Sequence, residues 1–451
     1  MKNSVFMVIM LISLAFISCS RIKQKTESIN QFDADSEKSI ERDKVIVISD
    51  IHLGADLSYS ECVAHIARLA EFILEAGSSM SVKELVIAGD LFDEWYIPSR
   101  DSTYGTADQR AFLLKIAEAN KDVFDALRKV INEKKVKVTY VYGNHDLLVP
   151  EQFISELLPG IHVIQDNDRQ GVGTYYPTIY PCVAIEHCHR YDFFSAPDPY
   201  SNQNRANGTI LPPGYFFSRV AVNSVLDFPQ KGEETKVPIV VLKEPADESQ
   251  QNRFIYYQVW KTAFEQVIPT KESFEEKIIT TNIGHFNGSF SIFDLLPYNN
   301  STDGSITMKL YAESCEQENW EKRLRYNNVP VMTRAGEAIK GGLETSFLDQ
   351  QSNVQYFQND TSNVRVVVFG HTHIPMIKTY MNHKQEECVY ANSGTWIDRK
   401  ERQEEKYDQD VENMDFVVIS KDKDIDGNLK VELKKLNKGN HLLVESKTIK
   451  L

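Results

Sequence analysis

Five short, mostly apolar runs in this chain each stop at a cluster of Asp, His, Asn and Gly. No other feature limits the available folds as much. Val45-Ile46-Val47-Ile48 runs into Asp50-Ile51-His52, Leu85-Val86-Ile87-Ala88 into Gly89-Asp90-Leu91-Phe92-Asp93, and Val138 to Tyr142 into Gly143-Asn144-His145-Asp146. Farther on, Thr178 to Glu186 ends at His187, and Arg365 to Phe369 at Gly370-His371-Thr372-His373. Continuous apolar runs of this length predict strands buried on both faces. Between the first three, apolar residues recur at helical spacing: Cys62, Ile66, Leu69, Ala70 and Ile73, then Phe112, Ile116, Ala119, Val123, Leu127 and Ile131, the second set read as a single helix. Strand, helix, strand, helix, strand predicts an α/β layered domain.

Two more strands are expected at Cys388 to Asn392 and Phe416 to Ser420. The latter is paired in a C-terminal hairpin with Leu429, Val431 and Leu433 across the turn at Asp426-Gly427. From about Tyr191 to Asn363 the alternation stops. Pro/Asn/Gly-rich pieces alternate there with helix-like ones such as Phe254, Val259, Trp260, Phe264 and Val267. A stretch this long is not a structureless loop, and it reads as a largely helical cap. At 451 residues the chain exceeds one ordinary domain, and 42% apolar with 25% charged residues is a globular composition. The net charge of −14 opposes non-specific binding to phosphate backbones, so no nucleic-acid partner is expected.

The first residues read as an export signal. Lys2 precedes the apolar run Val5 to Ile17, too short to span a bilayer, and Ala15-Phe16-Ile17-Ser18-Cys19 resembles a bacterial lipoprotein signal. That resemblance implies a signal peptide over 1–18 and a lipidated Cys19, with a plain secretory signal or an uncleaved anchor as the alternatives. Ser20 after the Cys favours outer-membrane sorting, so the expected location is periplasmic or cell-surface, membrane-associated through the lipid. Residues 19–43 are polar and read as a flexible linker. Cys62, Cys182, Cys188, Cys315 and Cys388 are oddly numbered and widely spaced, which is not a disulfide framework, and no Cys-x-x-Cys pair suggests structural zinc.

Ligand-type residues at several strand ends converge on the carboxyl edge of a sheet, where α/β enzymes place their sites. Asp50/His52 and His371/His373 are separated by one residue, a spacing that in extended backbone sends both side chains to the same side. Gly54, Gly89, Gly143 and Gly370 suit the sharp turns that strand ends need. Taken in order, Asp-x-His, Gly-Asp-x-x-Asp, Gly-Asn-His-Asp, a lone His and Gly-His-x-His resemble the calcineurin-like metallophosphoesterase superfamily. The likeness covers roughly residues 44 to 195 and 364 to 400.

The resemblance implies a β-sheet sandwich flanked by helices, with catalytic parts at 44–195 and 364–451 and the insertion at 196–363 between them. It implies two divalent metal ions (Mn, Fe, Zn or Mg), one on Asp50, His52 and His373, the other on Asn144, His187 and His371, with Asp90 bridging. A hydroxide bridging the metals would attack phosphorus in line, and His145 would stabilise the transition state or protonate the leaving oxygen. Asp93 would orient His145 or a ligand. The family often has Gly after the lone His, where this chain has Cys188 and then His189. Whether His187 or His189 is the ligand therefore stays open, with His187 favoured because it directly follows the strand. Arg190, next along, is a candidate phosphate partner, and aromatic packing is the plainer reading of its segment. Asn392-Ser393-Gly394-Thr395-Trp396 resembles a structural turn of the same family. The expected activity is hydrolysis of a phosphate ester or pyrophosphate in a phosphorylated small molecule or lipid-linked substrate. The alternatives are a non-catalytic metal-binding scaffold on the same fold and, opposed by the charge, a nuclease.

Overall fold

The computed structural model describes residues 30–34, 41–166, 169–226, 229, 232–398 and 414–451. The export signal and Cys19 lie outside the described residues. In chain order the elements begin β1 (Lys44–Ile48), α1 (Ile66–Ser78), β2 (Val82–Ala88), α2 (Gln109–Ala119), α3 (Lys121–Glu133), β3 (Lys137–Val141), α4 (Glu151–Leu157), β4 (His162–Ile164) and β5 (Val183–Glu186). The insertion holds α5 (Gly214–Leu226), α6 (Glu248–Thr262), β6 (Ile279–Ile283), β7 (Phe286–Phe290), β8 (Tyr298–Asn299), β9 (Ile306–Thr307), α7 (Gln317–Tyr326), α8 (Ala335–Gly341) and α9 (Thr345–Ser352). The chain then returns through β10 (Val366–Phe369), β11 (Met376–Met381), β12 (Glu387–Asn392), β13 (Met414–Lys421), β14 (Asn428–Asn437) and β15 (Asn440–Lys450).

Two mixed sheets result, ordered β15-β14-β13-β1-β2-β3-β4 and β11-β12-β10-β5. Alternate residues of each strand enter different cores, as the pleat requires. Val45, Val47, Val86, Ala88 and Val141 of the larger sheet pack with Val183, Ile185, Val366, Val368 and Val389 of the smaller one. Ile46, Ile48, Leu85 and Ile87 point the other way, into the core shared with the helices. This is an α/β fold of mixed sheets and flanking helices, and every expected strand is present.

Several expectations need correction. The helix read through Phe112 to Ile131 is two helices, broken at Asn120, whose Nδ2 donates to Ile116 O and across to Gly54 O. The insertion is not simply helical: β6 pairs with β7 and β8 with β9 as two small antiparallel hairpins. At the C-terminus β15 joins the expected hairpin, so three antiparallel strands extend the large sheet beside β1. Within the stretch read as a flexible linker, Gln31–Asp33 is a docked 3-10 turn. Phe32 is buried there, and Asp33 accepts hydrogen bonds from Ser79, Met80 and Ser81. One aromatic residue in a polar tract is enough to anchor it.

The insertion is tied to the loop that follows β2. Buried Arg219 on α5 donates from Nε to Ile97 O (2.9 Å) and from Nη2 to Pro98 O (2.9 Å), and also reaches Asp101 O. Among the described residues, Cys62, Cys182, Cys188, Cys315 and Cys388 form no disulfide. Among the described residues no helix is long and apolar enough to cross a membrane.

Candidate metal centre

The loops after β1 and β2 run side by side: Ile51 N and His52 N donate to Asp90 O, and Leu53 N donates to Leu91 O. Asp50 and His52 converge, but not by the pleat alternation expected. Asp50, His52, Asp90, His371 and His373 all have positive φ, between 53° and 69°. Asp and His tolerate this left-handed conformation better than most residues, and such strain of order 1–3 kcal/mol each collects at functional sites. The turn after β12 fixes Asp50 from behind, because Trp396 N and Thr395 Oγ1 both donate to Asp50 O. Gly143 allows the closest approach in the site. A Cβ there would stand 2.1 Å from Asp90 Oδ1 and 2.4 Å from Asp90 N.

Three clusters of ligand-type atoms form among the described residues, each within 4.8 Å: Asp50, His52 and His373; Asp50, Asp90 and His187; and His52, Asp93 and His145, the first two of which share Asp50. In the first, His373 Nε2 lies 3.1 Å from Asp50 Oδ1 and 3.3 Å from His52 Nε2. In the second, His187 Nε2 lies 3.1 Å from Asp90 Oδ2 and 3.0 Å from Asn144 Oδ1. His187 Nδ1 donates to Ala88 O at 2.9 Å, which leaves the Nε2 lone pair aimed into the cluster. Asp90 spans these two clusters, with Oδ2 also 3.5 Å from His52 Nε2.

The same geometry separates His187 from His189. Cys188 takes the left-handed conformation (φ 74°) that glycine would adopt, so the backbone accepts a side chain there. His189 is turned away: its Nε2 donates to Gly171 O at 2.7 Å. Burial, then His187 and His371, hold its pKa well below the usual histidine value. His371 is less converged than expected. Its backbone N–H donates to Asp50 (2.9 Å), but its Nε2 faces Asp192 Oδ2 at 3.1 Å, leaving only Nδ1 for a cation.

Asp93 lies between two imidazoles, with Oδ1 2.8 Å from His145 Nδ1 and Oδ2 3.1 Å from His52 Nδ1. Burial alone would lower the His145 pKa, but Asp93 beside it raises it. Burial alone would raise Asp50, but His187 and His373 hold it at about 2. His187 in turn stands at about 9, Asp90 and Asp50 outweighing burial. Buried carboxylates and imidazoles thus offer oxygen and nitrogen donors at one point. With no thiolate in these clusters, the donors fit borderline or hard divalent ions.

Arg190 does not face this site. It is buried and paired with Asp166 Oδ2 (2.8 Å) and Glu186 Oε2 (3.1 Å), and it donates to Asn327 O. These partners hold Arg190 away from the metal cluster, although its buried Nη2 has no hydrogen-bond partner among the described residues, so the geometry lends no support to the phosphate-partner expectation. The residue of that segment that does reach the site is Asp192. Sequence reasoning also missed Trp95, stacked on His145 (centroids 4.7 Å, 29°), and Asp146, which accepts from Gly143 N and Leu91 N and so ties two site loops together. The three-residue step from Gly143 to Asp146 was the available signal for a loop-closing carboxylate.

No curated protein matches the chain. The model of the calcineurin-like phosphoesterase family matches residues 43–216, the span that supplies Asp50, His52, Asp90, Asn144 and His187. With that match beside these clusters, a calcineurin-like metallophosphoesterase domain is identified over residues 43–216, and its residues together with His373 form a candidate dinuclear site for divalent metal ions, consistent with a metal-dependent phosphoesterase.

Proposed function

We propose that the protein is an exported, metal-dependent phosphoesterase that hydrolyses a phosphate ester or pyrophosphate bond. One observation carries this reading: His145, fixed by Asp93, lines the same cavity as Asp90, Asn144, His371 and His373. Asp50, His52 and His373 would hold one cation, and Asn144, His187 and His371 the other, with Asp90 between them. Two divalent ions held there supply Lewis acidity toward phosphoryl oxygens and make water nucleophilic at neutral pH. The protein's own residues supply the rest. Asp93 accepts a hydrogen bond from His145 Nδ1, so Nε2 faces the cavity, and the carboxylate beside it raises the ring's pKa against the effect of burial. Protonated His145 donates to the leaving oxygen.

The reading further assigns lipidation to Cys19, a periplasmic or cell-surface location on the outer membrane, and a phosphorylated small molecule or lipid-linked substrate. The support is the residue pattern at the N-terminus, which lies outside the described residues.

The test is metal analysis together with hydrolysis of an aryl phosphate and an aryl phosphodiester by wild type and His145→Ala. The expected variant keeps its metal and loses about 10²–10⁴-fold in kcat. Wild-type protein that binds two metals yet turns over neither ester would support the scaffold reading instead. A His145→Ala protein that loses metal would overturn the role given to His145.

A further inference from the structure

The cavity beside the metal cluster, open to solvent on one side, has a volume of about 340 Å³ and two unlike walls. One is the metal face. The other is apolar, built of Trp95, Phe194, Phe217, Val259, Trp260 and Leu343. Trp95 comes from the loop after β2, and Phe217, Val259 and Trp260 from α5 and α6 of the insertion. Trp95 and Trp260 are buried, and Phe194 stacks on Tyr256 (5.5 Å, 26°), so this wall is fixed by packing. At the rim Val267 and Leu343 are 62% and 46% exposed. Among the described residues no Lys or Arg lines the cavity, and its charged groups beyond the histidines are the carboxylates of Asp90 and Asp192.

Resting on the phosphoesterase reading above, we infer that the substrate is an ester whose leaving group is an uncharged, apolar alcohol. His145 decides which end of the substrate meets which wall. It stands between the metal face and the stacked Trp95 ring, so a leaving oxygen within its reach carries its substituent against Trp95, Phe217 and Trp260. In the reaction the bond from phosphorus to the alcohol oxygen breaks and a bond to the oxygen of water forms. The alcohol oxygen takes its proton from His145, and that ring recovers one from the water consumed. A second phosphate or a carboxylate on the leaving group would enter a desolvated wall without a cation and close to Asp192, which is costly. A sugar or nucleoside would meet few polar partners there beyond Ser195 and Ser218. These facts oppose nucleotide-linked and sugar-phosphate substrates and favour alkyl or aryl esters.

The experiment uses the manganese-loaded full chain and n-alkyl phosphates from methyl to octyl, with an octyl-length ester ending in a carboxylate as the matched charged control. The expected result is a rise in kcat/KM of about fourfold per buried methylene, equivalent to roughly 0.8 kcal/mol, until the cavity is filled. The carboxylate-ended ester should fall at least tenfold below its octyl partner. Leu343→Lys, at the exposed rim, should shrink that ratio by supplying the missing cation. A flat series, or a preference for the charged ester, overturns the proposal. Binding of methyl to octyl phosphonates, followed by tryptophan fluorescence, separates the two layers. Affinity that climbs with chain length while no ester is cleaved would sustain the apolar site and sink the hydrolase reading. Affinity independent of chain length would sink the apolar site whatever the turnover.

Discussion

Replacing His187 and His189 by alanine, one at a time, should damage the protein in two unlike ways. His187 directs Nδ1 at Ala88 O and Nε2 at Asn144 and Asp90, so His187→Ala removes a nitrogen from the metal cluster itself. Loss of an outer-shell partner already costs 10–100-fold in metal affinity, and loss of a donor costs at least that, so metal content should fall from about two ions per chain to about one. His189 is not among the cluster residues, and among the described residues its ring's one hydrogen bond is to Gly171 O. Truncating it leaves that carbonyl unsatisfied, at about 1–3 kcal/mol, and opens a ring-sized hole. The combined loss is about 2–5 kcal/mol, within the range for large-to-small core changes. The assay pairs elemental analysis after manganese loading and dialysis with urea unfolding in chelator, where metal linkage no longer contributes to stability. His189→Ala should keep its metal and unfold at lower urea. A His189→Ala protein short of one metal, beside a His187→Ala protein with its full content, would refute the placement of both rings.

Two further outcomes are expected. Burial raises the Glu94 carboxyl to about 8 despite hydrogen bonds from Gln109 and Tyr104. Below the ordinary carboxyl pKa both folded and unfolded states hold the proton; between there and about 8 only the folded state does, so stability falls as pH rises, by at most ~1.4 kcal/mol per pH unit. Glu94→Gln should flatten that slope in thermal melts taken from pH 5 to 8, and melts that stay parallel would contradict it. Arg190→Ala strands Glu186, itself buried and bonded to Tyr191 and Tyr356, and should destabilise the fold by about 3–5 kcal/mol. With the fold held by low temperature, KM for an aryl phosphate should change by less than about threefold; a large KM effect would restore Arg190 as a phosphate partner.

The strands and their polar ends were legible because both depend on residue type within a few positions. Val45 to Ile48 can only be a buried strand, and the polar residues after Ile48 can only leave the sheet edge. The conformation of those ends was not legible. Asp50, His52, His371 and His373 take left-handed backbone under tertiary constraint, and their one-residue spacing suggested extended backbone instead. Asn120 looked like one more position in a long amphipathic helix because its helix-breaking contact is with Gly54, 66 residues away. Arg190 and Asp192 were exchanged for a similar reason. Composition shows a cation and a carboxylate two residues apart, but which one is already paired depends on Glu186 and Asp166 in three dimensions. β15 was missed because its exposed Leu442, Leu443 and Val444 break the alternation expected of a strand with one buried face.

The first metal cluster joins residues from opposite ends of the described chain. Asp50 and His52 follow the first strand, whereas His373 follows the tenth, and β1 lies between β2 and the late strand β13. A chain still being made therefore holds Asp50, Asp90, Asn144 and His187 long before it has His373 to close the site. Closing that cluster requires the chain to be made through His373 and folded back across the insertion. It follows that a fragment ending near residue 216 would contain the whole matched domain and still be a half-site.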